Sequence, residues 1–486
     1  MSIARVCLAT LAGICTAQAF SPNRWYLAIV GLAIFSWALD GQPRRLRVLS
    51  SCGFALGLYG MLMQWITIVG YAAGAALLAL CVVPWLLFTL FKPHSSHVVT
   101  AFRLASIITL IEAVRSSVPW GGFPWGLLAF SQVDGPLMPA SRLGGEVLTT
   151  FVVVVCGYTL FAAISQRSLA LPFVALGIVI VPYVTLRTPV SDSQIQVSVI
   201  QGSVPREGLN VIEQADRVFA NHIAKTRDLA KDVRSGSVPQ PDLVIWPENA
   251  ADGDPVNNKV MFDQVQDVVN EINAPVLIGA AVSDGPIGPY NAGLLWLPNE
   301  GPDQRYEKRH LVPFGEYIPH RNVLKKYAAQ FGVPLNGFIP GQDDGIFTYK
   351  KLKFADVICF EVADDIFITE GVEGGANFIT VQSNNATYAF SQQPVQQLQI
   401  TRFRAFEHSR SIAVATTTGF SALIDQDGAV LAQTREMQAT SLTTSLAQST
   451  ARQPIDRWGS GPWLLLAGIV VVAGVRGRSP WRITGS

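Results

Sequence analysis

Charge is what this sequence is short of. Asp, Glu, Lys and Arg make up only 15% of its 486 residues, against roughly a quarter in an ordinary soluble domain. With 49% apolar residues and a mean hydropathy of +0.32, part of the chain must face something other than water. A basic excess is lacking as well. The formal net charge of +1 leaves no large basic excess to neutralise phosphates, which argues against a nucleic-acid partner. Cysteine is scarce, and no two of the six are spaced as CxxC. Neither a disulfide framework nor a cysteine metal site is therefore expected. Cys7, Cys15, Cys52, Cys81 and Cys156 sit in apolar runs, where a thiol is ordinarily a small buried hydrophobe. Cys359 alone lies in polar surroundings, and read singly it is either an inert buried thiol or a nucleophile. Internal repeats and low-complexity segments are also missing.

What the sequence does have is long apolar runs, gathered in its first 190 residues. A membrane-crossing helix needs about 20 mostly apolar residues, and candidates lie at 3–20, 25–39, 48–66, 70–91, 98–116, 145–165 and 169–186, with one more at 462–475. The run from Val48 to Phe91 is too long for one span, and Gly70 is the expected break. Arg103, Glu112 and Arg115 interrupt the fifth candidate and are expected to snorkel or to pair between helices. One set of alternate loops holds Arg5, Arg44, Arg45, Arg47, Lys92, Arg167, Arg476, Arg478 and Arg482; the other holds little beyond Arg24 and Arg142. The positive-inside rule makes the first set cytoplasmic. Both termini then lie inside, and 190–460 lies on the outer face. Ala17-Gln18-Ala19 resembles a signal cleavage site, but an apolar run follows at once, and the first span is expected to be retained. The Gly-, Pro- and aromatic-rich stretch Gly121–Gly126 suits a membrane–water interface, where it is expected either to line a lipid entry or to form a tight connecting loop.

From residue 194 the pattern changes. Ile195–Ile200, Leu243–Trp246, Val276–Ala280, Gly293–Leu297, Phe354–Cys359, Phe378–Val381 and Ile412–Ala415 read as strands, and 207–234, 258–272 and 388–408 as helices. Such alternation indicates an α/β domain with a covered sheet. The expected layout is a transmembrane domain over 1–190, an α/β domain over 191–446, a linker at 447–461, and a final span and tail at 462–486.

Three places in this domain set reactive side chains at strand ends or beside them. Val244-Ile245-Trp246-Pro247-Glu248 is an apolar strand ending in a carboxylate. Lys308-Arg309-His310-Leu311-Val312-Pro313-Phe314-Gly315-Glu316-Tyr317-Ile318-Pro319 is dense in charge and aromatics. Val357-Ile358-Cys359-Phe360-Glu361 runs from a buried strand into a thiol and a carboxylate. Each alone has a plain structural explanation: Glu248 as a neighbour of a helix cap, Lys308 as a solvated charge, Cys359 as a core residue.

Together, in this order, they resemble the nitrilase (carbon–nitrogen hydrolase) superfamily, and within it the membrane-embedded apolipoprotein N-acyltransferase family. Ile200-Gln201-Gly202 and Phe123-Pro124-Trp125 match further motifs of that family. The resemblance implies a multi-pass α-helical membrane domain plus an α/β nitrilase-like domain built as an αββα sandwich. It implies Glu248 as base, Lys308 as oxyanion stabiliser and Cys359 as nucleophile, with Glu316 and Glu361 supporting them and no metal or cofactor. The acyl donor would be a membrane phospholipid, and the acceptor the α-amine of a diacylglyceryl-cysteine on an apolipoprotein. The catalytic domain would face outward from a bacterial cell membrane. The sequence departs from the family in having Phe360 after the nucleophile, Asn385 in the Ser383–Asn385 segment, and no tryptophan at 206–210. Two rivals remain: a membrane-tethered carbon–nitrogen hydrolase, and a non-enzymatic membrane protein with a degenerate domain. The stretch Phe314–Phe338, with Pro319, Phe331 and Pro334, is expected either to arm the site with a mobile lipid-dipping segment or to pack as a surface loop.

Overall fold

The computed structural model describes residues 2–165, 177, 191, 193–204, 214–285, 288–320 and 337–476. The chain divides into two compact units, Met1–Arg187 with Gln453–Ser486, and Thr188–Arg452. The boundary at 452 falls within the stretch read as a linker.

The first unit is helical: α1 (Ser2–Ala17), α2 (Tyr26–Leu39), α3 (Arg44–Leu62), α4 (Tyr71–Val82), α5 (His97–Ser117) and α6 (Ser141–Ser165), joined late in the chain by a helix over Gly461–Arg476. Among the described residues four helical stretches are long and apolar enough to cross a membrane, namely Ile3–Phe20, Tyr71–Leu90, His97–Ser117 and Met138–Ser165. Tyr26–Leu39 and Gly461–Arg476 are shorter apolar helices. The break expected at Gly70 is present, directly before α4. The span expected at 169–186 lies outside the described residues. Helices α1 and α3 approach closely because Gly13 and Gly57 leave room: a Cβ on either would lie 2.0 Å from a carbonyl oxygen of the other helix.

One expectation for this unit changes and a second narrows. Of the five cysteines in apolar runs, only Cys81 is buried, while Cys7 is exposed and the rest are half-buried, because helices made for lipid turn apolar side chains outward. Glu112 and Arg115 do not snorkel but reach between helices, Glu112 to Thr150 of α6 and Arg115 over the Tyr59 ring of α3 at 4.9 Å. Both are buried on α5 and satisfy the backbone of the following loop. Arg115 donates to the carbonyls of Phe123 and Trp125 at 2.6 and 2.7 Å, and Glu112 accepts from Leu128 N–H at 2.9 Å and from the Thr150 hydroxyl at 2.7 Å. Gly121–Gly126 is thus a connecting loop pinned from within, with Trp125 buried.

The second unit is a four-layer sandwich. One sheet runs β12-β1-β2-β3-β4-β5 and the other β11-β10-β9-β8-β7-β6. Its strands are β1 (Ser193–Gln201), β2 (Leu243–Ile245), β3 (Val276–Ser283), β4 (Pro289–Leu297), β5 (Gly301–Glu307), β6 (Ile346–Tyr349), β7 (Leu352–Ile358), β8 (Phe378–Ser383), β9 (Ile412–Thr416), β10 (Ala422–Ile424), β11 (Val430–Gln433) and β12 (Thr440–Gln448). Within the sheets β1-β2-β3 and β7-β8-β9 are parallel and the outer pairs antiparallel. Side chains alternate faces along a strand, and the two cores divide by that parity. Val244, Trp246, Val276 and Ile278 pack with Phe219 and Ile223 of α7 (Ala215–Ser235) and Val265 and Val269 of α8 (Lys259–Ile272). Leu243, Ile245 and Leu277 pack instead with Phe354, Ile358, Phe378 and Ala413 of the second sheet. Helices α9 (Asp365–Glu373) and α10 (Gln392–His408) accompany the second sheet. Burial on both faces explains why the central strands read as unbroken apolar runs.

Candidate active site

The parallel strands end together, and the reactive residues follow those ends. Glu248 comes just after β2, Cys359 just after β7 and Asn384 just after β8; Lys308 follows β5, and Asn291 opens β4 at the same edge. Carboxyl ends of parallel strands are where open α/β sheets place ligands, because the chain must turn there and its polar groups are free to converge.

Glu248 is 4% exposed. Pro247 ends the ladder, and β3 lies close enough that a Cβ on Gly279 would sit 2.2 Å from the Pro247 carbonyl oxygen. Glu248 Oε1 accepts from Lys308 Nζ at 3.0 Å and from Asn291 Nδ2 at 2.8 Å, and Oε2 accepts from the Asn384 backbone N–H at 2.9 Å. Lys308, 1% exposed, also donates to Glu316 at 3.0 Å. Glu316 is held in turn by Asn291 Nδ2 and the Val312 N–H, at 2.8 and 2.7 Å. Burial works against the Lys308 charge, yet Glu248 and Glu316, with Cys359 and Glu361, outweigh it and hold the ammonium well above its usual range.

Cys359 sits at the strand-to-turn corner with φ +56°, a left-handed backbone that costs a β-carbon residue about 1–3 kcal/mol and must be enforced by its surroundings. Two buried groups enforce it. Glu361, fully buried, accepts from the N–H groups of Ile358, Arg309 and His310 at 2.8, 2.8 and 3.0 Å and from the Tyr306 hydroxyl at 3.0 Å, stitching the Cys359 turn to the Lys308 loop. Gln397 of α10 donates to the Cys359 carbonyl at 3.2 Å. Burial pushes the Cys359 thiol up to about 12, with Glu248 adding to the rise and Lys308 opposing it. The resting group is a thiol beside a carboxylate, so any attack by sulfur needs its proton removed in the same event.

All five residues singled out in the sequence therefore gather in one place: Glu248, Lys308, Cys359, Glu316 and Glu361. Sequence reading missed Asn291, whose amide bridges both carboxylates, and Asn384, which contributes a backbone N–H that no side-chain pattern announces. Tyr290-Asn291 opening an apolar strand was the only signal for the first. The arm expected over Phe314–Phe338 falls largely on 321–336, outside the described residues, as does the 206–210 segment. Among the described residues Asp365, Glu407 and His408 could group around a metal ion, but the Arg404 guanidinium already donates to both carboxylates and supplies the positive charge there.

Known proteins resemble this chain along most of its length. The apolipoprotein N-acyltransferase N-terminal domain matches residues 12–159, and carbon-nitrogen hydrolase matches residues 218–455. A protein of Mycolicibacterium smegmatis named apolipoprotein N-acyltransferase is 33% identical over 93% of this chain and 80% of its own length. One of the same name from Haemophilus influenzae is 27% identical over 95% of this chain and 92% of its own. Among solved structures, a carbon-nitrogen hydrolase from Helicobacter pylori G27 aligns at 13% identity, covering 56% of this chain and 95% of that one, with a TM-score of 0.40.

Proposed function

Because the chain belongs to the apolipoprotein N-acyltransferase family, we propose that it moves an acyl chain from a membrane phospholipid, through a thioester on Cys359, to the α-amine of a diacylglyceryl-cysteine on an apolipoprotein. The observation that carries this reading is the buried Lys308 ammonium held between Glu248 and Glu316 beside the Cys359 thiol.

In the first step the Cys359 sulfur attacks the ester carbonyl while Glu248 takes the thiol proton. Negative charge grows on the carbonyl oxygen, and Lys308, fixed in advance by two carboxylates, stabilises it. Collapse expels the lysophospholipid alkoxide, which takes the proton back from Glu248, and leaves the thioester. In the second step the neutral amine attacks the thioester carbonyl. The Cys359 sulfur leaves and recovers a proton by way of Glu248, and an amide results. Donor and acceptor are both held in lipid, so a membrane-embedded enzyme meets each by lateral diffusion. Residues 190–460 carry the site on the outer face of a bacterial cell membrane.

Incubating the purified full-length enzyme with phospholipid alone should add one acyl mass to the peptide bearing Cys359. An acceptor with a free α-amine should then discharge it as an N-acyl product. Absence of the adduct, or its retention in Cys359→Ala, refutes the thioester; discharge by water at the same rate as by amine identifies a hydrolase instead.

A further inference from the structure

Behind the reactive residues, between the two sheets, lies a polar cluster that the steps above do not use. Asp356 of β7 shares the inward face of Phe354 and Ile358, and Thr380 and Gln382 of β8 share that of Phe378. All three are buried, at 2% exposure or less. Asp356 Oδ1 accepts from the Thr380 hydroxyl at 2.6 Å, and Gln382 Nε2 donates to the Trp246 carbonyl at 2.6 Å, two residues before Glu248. That leaves two buried oxygens, Asp356 Oδ2 and Gln382 Oε1, without a hydrogen-bond partner. They converge on one spot. A Cβ built on Gly293 of β4 would lie 2.4 Å from the first and 2.7 Å from the second.

Two unpartnered acceptors turned toward one spot in a dry interior repel unless one of them carries a hydrogen. The amide cannot flip to provide it without giving up the Trp246 carbonyl. A protonated carboxyl can. We propose that Asp356 works as a neutral acid, its Oδ2–H donating to Gln382 Oε1, so that the chain Thr380–Asp356–Gln382–Trp246 fixes the strand bearing Cys359 against the strand bearing Glu248. Asp356 is in this sense a positioning residue, and the inference rests on the roles given above to Cys359 and Glu248. Electrostatics agree with the geometry. Burial pushes the Asp356 carboxyl up to about 8; the Thr380 hydroxyl and the Val357 N–H oppose the rise, while Glu361 and Glu248 add to it. The neighbouring strands add no charge, since β8 presents Thr380 and Gln382 and β4 presents Gly293. Lys308, the nearby cation, is committed to Glu248 and Glu316.

The folded chain thus keeps a proton that the unfolded chain releases near 3.8. The stability this group lends is full in acid and is lost as pH rises through about 8. The same ionisation should loosen the two strands and slow acylation.

The test uses the full-length enzyme in detergent. It follows both the Cys359 adduct formed from phospholipid and the thermal midpoint, from about pH 6 to about pH 9.5. Asp356→Asn keeps an N–H where the acid keeps its hydrogen. It should acylate within about threefold of wild type at neutral pH and hold its rate where wild type has fallen about tenfold. Its thermal midpoint should gain on wild type as pH rises toward 8. Asp356→Ala should lose about tenfold or more at every pH. Asp356→Asn as impaired as Asp356→Ala at neutral pH, or an unchanged alkaline decline in Asp356→Asn, overturns the proposal. If wild type forms no adduct, the Cys359 reading fails, and the midpoint comparison alone decides whether Asp356 holds a proton.

Discussion

A buried carboxylate and a buried ammonium share one site with a half-buried thiol, and each changes what the others can do. Glu248 raises the Cys359 pKa and Lys308 lowers it, so the two residues oppose each other on the thiol while both are needed for transfer. Glu248→Gln should therefore ionise its thiol at lower pH than wild type yet lose acylation by about 10²-fold or more, because it cannot take the proton. Lys308→Met should move thiol ionisation upward and cost about 10²–10³-fold, since the oxyanion loses its counter-charge. Iodoacetamide alkylation against pH reads the first property and the mass-spectrometric adduct reads the second. Acylation that rose with the thiolate fraction in Glu248→Gln would show that catalysis follows thiolate fraction, contrary to the concerted step. The reactive trio was legible in the sequence because Glu248 and Cys359 each follow an apolar run, Lys308 opens the charge- and aromatic-dense stretch 308–319, and the three occur in the order of a known family. Asn291 and the Asn384 N–H were not. Their roles come from which strand ends stand together, and that is a property of topology rather than of any local stretch.

At the scale of elements, legibility followed burial. β2, β3 and β8 are buried on both faces and stood out as apolar runs. β5, with sequence GPDQRYE, and β12, with TSLTTSLAQ, escaped detection because they close the two edges of one sheet and are largely half-buried or exposed. Without a core face to fill, their residues carry little period-2 contrast. The helix read from 388 begins at Gln392, where the Ser391 hydroxyl accepts from Gln393 N–H, a cap the apolar pattern did not reveal. The nine-residue helix α9 was too short to show a period at all. The close packing of β2's exit against β3 yields a sharper prediction. A methyl on Gly279 would meet backbone, with the Pro247 oxygen at 2.2 Å and Glu248 Cα at 2.7 Å, and backbone cannot swing aside as a side-chain tip can. Gly279→Ala should displace Glu248 and slow adduct formation by about tenfold or more, while a thermal melt still reports a folded protein. An unchanged acylation rate would show that Glu248 does not depend on this contact.

At the scale of the whole molecule, the outward-facing α/β unit proposed above from the Lys and Arg of the short loops has a direct test. Lys231, on the solvent side of α7 with two-thirds of its side chain exposed, is a suitable reporter. A cysteine placed there, with the native thiols other than Cys359 replaced, should react with a membrane-impermeant maleimide in intact cells. Reaction only after lysis would reverse the topology.

One pairing in the sheet reaches beyond catalysis. β1 opens the α/β unit and β12 nearly closes it, and the two lie side by side with Ser193 opposite Gln448. The points where the chain enters and leaves this unit are therefore neighbours, while the helical unit is assembled from the sequence on either side of it. A module whose ends exit together can be spliced into a single loop of a host protein without pulling that host apart. The α/β unit thus stands in the chain as one continuous insertion, with helical sequence resuming after it.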